Sequence, residues 1–228
     1  QGFVSSAEEQ TPLTPLARRL GKKLSSGVHR ISIPKKSGIS YAGELVQALL
    51  VQSGFSFDSG NVTLRKIGSG DRLIYTHKNS NSLAEMIAGM LRYSNNFTAN
   101  QLLLSVGLKR YGAPATLEKG IRALKEYLRK ELGIPEKQFR IAEGSGISRK
   151  NRLTPEAIWQ LLKAFSEQRN LLHGENGILY KTGTLRGVST MAGYLPGSKP
   201  RYFVILLNQQ KNRRDQILKL LLATNFSE

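Results

Sequence analysis

The chain has 228 residues, 39% of them hydrophobic and 22% charged, enough for one sizeable core or two small ones and far from a disordered composition. The absence of cysteine excludes disulfides, thiolate metal sites and Cys nucleophiles, and no apolar run approaches the roughly 18 residues of a membrane span. The net charge of +18 is spread over pairs such as Arg18-Arg19, Lys22-Lys23, Lys35-Lys36, Arg149-Lys150 and Arg213-Arg214, a pattern of solvated faces with attraction for polyanions.

The chain opens on Gln1 without an initiator Met or a signal peptide, so a processed or truncated form is expected. Residues 1–27 read as an extension or linker with a short amphipathic helix carrying Leu13, Leu16 and Leu20. Val28–Ile33 alternates as a strand and ends at Pro34. Ser40 to Gly54 reads as a helix with Ser40 at its cap. Asn61–Ile67 and Arg72–Thr76 then form a predicted hairpin around Gly68-Ser69-Gly70-Asp71.

Ser82 with Glu85 is a capping box for a helix ending near Tyr93. Ser94-Asn95-Asn96 forms a turn into a second helix bearing Phe97, Leu102, Leu103, Leu104 and Val106. Ala113–Leu132 repeats Leu117, Ile121, Leu124, Leu128 and Leu132 at near-heptad spacing and stops at Gly133. Phe139–Ala142 reads as a strand entering the Gly/Ser loop Glu143–Arg149. Thr154-Pro155 starts a helix. Gly177–Thr182, Val188–Leu195 and Arg201–Asn208 are strands, with Gly197–Pro200 as a hairpin turn, and Asn212–Thr224 is a closing helix. The expected class is α+β, an antiparallel sheet packed against helices.

Lys181-Thr182-Gly183 on a strand edge, with Ser94-Asn95-Asn96 upstream, is the pairing of enzymes that bind D-Ala-D-Ala peptides and penicillins. Acyl transfer needs an activated serine, an oxyanion hole and a cation for the terminal carboxylate. Lys181 would supply the cation, and the hydroxyls of Thr182 and Thr184 would bond the carboxylate. The Thr184 N–H would give half of the oxyanion hole, and Gly183 lets the substrate backbone lie close to the strand. Ser94 would relay a proton, and the Asn96 amide would bind the peptide. Arg149 has two readings, a partner for a substrate carboxylate or a surface ion pair.

The only Ser-x-x-Lys is Ser32-Ile33-Pro34-Lys35. The motif works when a helix places the amine one turn from the hydroxyl, and Pro34 opposes a helix there. Ser32 and Lys35 are therefore a weak nucleophile candidate beside the plainer reading of a strand-end serine. Ser145 reads as a loop-structuring serine, since Glu143 rather than glycine stands two residues before it. His29, His77 and His173 form no ligand-spaced pair, so neither a metal nor another cofactor is expected.

The series Tyr93–Asn96, Gly144–Pro155, Lys181–Val188 and Ala192-Gly193-Tyr194 resembles the class C low-molecular-mass penicillin-binding proteins, the D-alanyl-D-alanine carboxypeptidase/endopeptidase family. The resemblance runs from about residue 28 to 222. It implies the β-lactamase/transpeptidase-like fold over residues 28–228, lacking the nucleophile helix, and action on peptidoglycan stem peptides in the periplasm or cell envelope. It also implies β-lactam binding if the nucleophile is supplied. Asn95 stands where the family has Asp, Glu143 where it has Asp before Gly-Ser-Gly, and the stretch from Phe165 to Lys181 is short. The expected function is a serine-type carboxypeptidase/endopeptidase-like protein, this chain being inactive alone. The alternative is a non-catalytic module holding peptidoglycan or another polyanion. Nucleic acid is not expected, because the few aromatics do not cluster on a basic surface.

Overall fold

The computed structural model describes residues 2–3, 12–22, 24–25, 29, 31–33, 37–197 and 201–224. They fall into two compact units, Gln1–Lys78 and Asn79–Glu228.

In the first unit, β1 (Gly2–Phe3) pairs antiparallel with β2 (Ser32–Ile33). Val28, Pro34 and Lys35 lie outside the described residues. Helix α1 (Pro15–Gly21) starts as its sequence suggests: Thr14 accepts the Ala17 N–H at 3.1 Å, and Pro15 takes the first position. Helix α2 (Gly38–Gln52) begins two residues before Ser40, which is thus interior rather than a cap. Glu44 on α2 accepts the Leu16 N–H at 2.8 Å and ties the two helices.

The predicted hairpin forms its turn but not its strands. Asp71 N–H bonds Gly68 O at 3.1 Å, and the Asp71 carboxylate takes the Gly68 N–H and pairs with Arg65. Ile67, Leu73 and Ile74 are 82–89% exposed, so among the described residues nothing covers their side chains, and a bare two-stranded ribbon is marginal in water.

The second unit is built on a four-stranded antiparallel sheet: β5 (Gly174–Glu175), β6 (Ile178–Leu185), β7 (Val188–Leu195) and β8 (Arg201–Leu207), neighbours in that order. Residues 198–200, in the predicted turn between β7 and β8, lie outside the described residues. Alternation along the strands divides the core in two. Ile178, Met191, Leu195, Phe203 and Ile205 meet Ile217, Leu218 and Leu221 of α7 (Arg214–Ala223) on one face. Leu179, Ala192, Tyr194, Tyr202 and Val204 meet α3 (Leu83–Tyr93) and α6 (Pro155–Ala164) on the other, through Leu91, Ile158 and Leu162. The Tyr194 hydroxyl donates to Leu162 O at 2.7 Å, satisfying the buried polar tip of Tyr194 in that layer.

The α3 capping box is present, with Ser82 and Glu85 bonding each other's backbone N–H. Helix α4 (Asn96–Tyr111) buries Leu103 and Gly107. Helix α5 (Leu117–Lys130) is shorter than its leucine pattern suggests, because Thr116, in extended conformation, caps it through the Lys119 N–H. Its end is closed by Gly133 at φ +63° and by the Ile134 N–H on Leu128 O at 2.9 Å. Leu128, Ile134, Phe139 and Ala157 form a third cluster that joins α5, α6 and the short pair β3 (Phe139–Arg140) with β4 (Arg152–Leu153).

Helices α4 and α5 cross at two glycines. A Cβ on Gly107 would stand 2.4 Å from Gly120 N, and one on Gly120 would stand 2.4 Å from Leu103 O. Each of G107A and G120A should cost about 1–3 kcal/mol in chemical denaturation, through overpacking against backbone. Gly89 on α3 has open space around its Cβ position, so G89A should gain up to about 1 kcal/mol from helix propensity. A G107A protein as stable as the parent would refute the close crossing.

Candidate active site

The chain reverses between α3 and α4 at Ser94, which closes α3 in left-handed conformation (φ 51°, ψ 48°). A non-glycine residue there is strained by about 1–2 kcal/mol. Asn95 caps α4 by accepting the Thr98 N–H at 3.0 Å, so the residue standing in place of the family's Asp starts the helix. The turn directs the Ser94 side chain at β6, where Lys181 Nζ donates to Ser94 Oγ at 2.5 Å and to Thr182 O at 2.9 Å. Burial, and next the Arg214 guanidinium, push the Lys181 ammonium below its ordinary pKa.

The lysine sits where β6 loses one neighbour. Strand β5 pairs only with Ile178 and Leu179, extended by the Tyr180 N–H on His173 O. From Lys181 to Leu185 the strand is paired with β7, and no other strand flanks it among the described residues. Strand β6 runs on through Leu185 rather than stopping at Thr182, so Thr182, Gly183 and Thr184 share one regular edge.

A cavity of about 300 Å³ opens at this point, with Ser94, Tyr180, Lys181, Thr182, His173 and Arg214 among its walls. Arg214, the second residue of an unremarkable Arg-Arg pair in the sequence, is the site residue that sequence reasoning missed. It opens α7 and reaches β6, donating from Nη1 to Thr184 Oγ1 at 3.0 Å and to Gly183 O at 3.3 Å. Its Nε–H is buried without a hydrogen-bond partner among the described residues, Asp215 Oδ1 being 3.9 Å away. The only signal for it was its place just before the apolar face of the last helix.

Glu143 organises the Gly/Ser loop. Its carboxylate accepts the Ser145 N–H and hydroxyl, the Ser148 N–H and the Asn151 amide. The Gly144 N–H donates to Asn100 Oδ1 at 2.8 Å, which holds the loop on α4. Ser145 is thus engaged in the loop, as its sequence setting suggests. Arg149 reaches the β6–β7 turn and donates to Arg186 O at 2.6 Å, a contact to backbone rather than to a carboxylate.

Asn96 stands on the first turn of α4, and among the described residues no hydrogen bond joins it to Lys181. Ser32 lies on β2, not on the helical turn the Ser-x-x-Lys geometry needs, and Lys35 is outside the described residues. Among the described residues no cluster of His, Asp and Glu could hold a metal ion, and no helix is long and apolar enough to cross a membrane.

Burial raises the Glu143 pKa, but the bonds from Ser145 and Ser148 outweigh it and hold the carboxyl below its usual range. A depressed carboxyl stabilises the loop above the unfolded pKa, and that contribution is lost as pH falls through the folded value. Protection of the Ser145 and Ser148 amides, measured relative to their intrinsic exchange rates, should therefore fall only below the ordinary glutamate range. In E143Q that protection should be low at every pH. A parent protein whose protection stays constant across the acid range would contradict this account.

The model of the D-Ala-D-Ala carboxypeptidase 3 (S13) family matches residues 25–178, two thirds of the chain, and stops three residues before Lys181. D-alanyl-D-alanine carboxypeptidase DacB of Haemophilus influenzae is 28% identical over 184 residues, covering 70% of this chain and 38% of the relative. D-alanyl-D-alanine carboxypeptidase of an Actinomadura species is 26% identical over 196 residues, covering 73% of this chain and 36% of the relative. The chain thus spans under two fifths of these curated relatives. The crystal structure of Haemophilus influenzae penicillin-binding protein 4, complexed with a β-lactam, superposes with a TM-score of 0.66 at 22% identity. That match covers 84% of this chain and 53% of the other, and it establishes a shared fold, in keeping with the expected α+β class.

Proposed function

This chain belongs to the D-Ala-D-Ala carboxypeptidase 3 (S13) family, and on that premise we propose that it forms the substrate-holding part of a serine-type D-Ala-D-Ala carboxypeptidase/endopeptidase acting on peptidoglycan stem peptides. One observation carries the reading: the Lys181 Nζ to Ser94 Oγ bond, which joins two motifs 87 residues apart at the mouth of a cavity. In this reading the peptide lies along the free edge of β6. Its C-terminal carboxylate faces Lys181 and the hydroxyls of Thr182 and Thr184. Gly183 leaves room for the substrate backbone, and the Thr184 N–H faces the carbonyl to be attacked. Ser94, bonded to Lys181, passes a proton to the leaving amine, and Asn96 and Arg149 flank the peptide.

In this reading the nucleophile of the acyl-enzyme step is not supplied by the described residues that line the cleft. We place the catalytic Ser-x-x-Lys outside this chain, and Ser32 with Lys35 remains the weak internal candidate. Residues 28–228 would then be the transpeptidase-like part, of class C type, and 1–27 an extension. The protein would be exported to the periplasm or cell envelope, and β-lactams would bind covalently only with the nucleophile supplied. A second reading, a module that holds wall polymer without cleaving it, is favoured by the net charge of +18.

A fluorescent penicillin should leave no stoichiometric serine adduct on this chain, while N-acetyl-D-Ala-D-Ala should bind reversibly. K181A should weaken that binding roughly tenfold or more, since a charge-assisted bond to a carboxylate is lost. A stoichiometric adduct would overturn the absence of the nucleophile. Failure to bind the dipeptide, with salt-sensitive retention on insoluble cell wall, would replace the first reading by the second.

A further inference from the structure

Arg214 does more than line the cleft. Its side chain is only 17% exposed, although Asp215, the neighbouring carboxylate, is 71% exposed and 3.9 Å away. The guanidinium therefore keeps most of its charge unneutralised beside β6, and one nitrogen, Nη1, donates to two atoms of the Lys-Thr-Gly-Thr edge. Gly183 O takes Nη1 at 3.3 Å and the Thr190 hydroxyl at 3.5 Å, which anchors the glycine from two sides. Thr184 Oγ1 takes Nη1 at 3.0 Å.

The second bond has a directional consequence. A threonine hydroxyl has one proton, and its oxygen accepts through lone pairs. Once the oxygen accepts from a guanidinium, the proton turns away from it, and among the described residues the Thr184 hydroxyl donates to no neighbour. An arginine cannot accept, so the alternative orientation, Thr184 donating back to residue 214, is closed. The result is a hydroxyl locked as a donor on the same edge as the Lys181 ammonium.

We propose that Arg214 is the positioning residue of this cleft: it holds the Thr184 oxygen so that the hydroxyl proton is presented, with Lys181, to the terminal carboxylate of a D-Ala peptide. The proposal rests on the reading of the cleft as a D-Ala-D-Ala site and adds the residue that orients it. Arg214 acts through Thr184 and does not itself touch the peptide. It also adds a like charge beside Lys181. The groups around that lysine are Arg92 from α3, His173 ahead of β5, Tyr180 on β6, and Arg214 with Asp215 from α7. Burial lowers the Lys181 pKa first, and Arg214 lowers it further.

The test titrates the full chain with N-acetyl-D-Ala-D-Ala and with its C-terminal amide by NMR, following the Lys181 side-chain carbon as pH rises. The parent should prefer the acid. R214Q should lose that preference roughly tenfold while the amide binds as before. R214K should restore it only in part, because a compact, strongly hydrated ammonium does not reproduce the rigid planar guanidinium donor. T184V should match R214Q, and the double variant should be no worse than either single one. Lys181 should titrate at higher pH in R214Q, since a neighbouring cation has gone. Unchanged acid affinity in R214Q, equal losses on acid and amide, or fully additive effects of R214Q and T184V would each overturn the positioning role. If the parent binds neither peptide, the substrate reading falls, and Arg214 is judged on the lysine alone: an unmoved Lys181 titration overturns its role. Thermal melting checks folding, and R214K carries the same comparison if R214Q does not fold.

Discussion

Lys181 carries its ammonium partly out of water into the corner between the end of α3 and the edge of β6. Removing a cation from solvent is costly unless acceptors replace the water. Here two acceptors do so, the Ser94 hydroxyl and the Thr182 carbonyl. The Ser94 hydroxyl can be there only because Ser94 adopts a left-handed backbone that most residues avoid, and the capping bonds of α3 and α4 hold that turn from both sides. The unfavourable backbone and the partly desolvated lysine are thus two halves of one arrangement. Both are features found where structure serves a site rather than stability.

The layers around the sheet explain why this corner persists. Helix α7 covers one face and brings Arg214 to Thr184; α3 and α6 cover the other and bring the Ser94 turn to Lys181. Among the described residues the strand edge between them has no neighbouring strand from Lys181 onward. The Glu143 loop is bonded to α4, and Arg149 beside it is bonded to the β6–β7 turn, so this loop is tied to the same scaffold. An unpaired edge with oriented donors is the kind of surface that accepts an extended peptide by adding it as a strand.

Much of the local structure was legible because its determinants are local. Ser82 and Glu85, Thr14 and Pro15, and Thr154 and Pro155 mark helix starts through bonds within one turn, and each appears where the residues suggest. The sequence pattern misleads where a competing local cap, or the lack of a covering layer, sets the boundary. The leucine repeat from Ala113 implied a longer helix than Thr116 allows. The alternation of Asn61–Thr76 implied strands, but no layer of the described residues covers Ile67, Leu73 and Ile74, so the residues that would make the ribbon stay in water.

The sequence by itself determined the α+β pattern, the serine turn and the Lys-Thr-Gly strand, because hydrophobic periodicity, capping residues and short motifs act over a few positions. Only the tertiary structure decided which of these residues meet. Ser94 reaches Lys181 across 87 residues, and Arg214 reaches Thr184 across 30. Asn96, chosen on motif alone, makes no hydrogen bond to Lys181 among the described residues. No spacing rule relates the start of α7 to the edge of β6. That meeting follows from burying the apolar faces of a helix and a sheet against each other, which fixes where their polar ends come to lie.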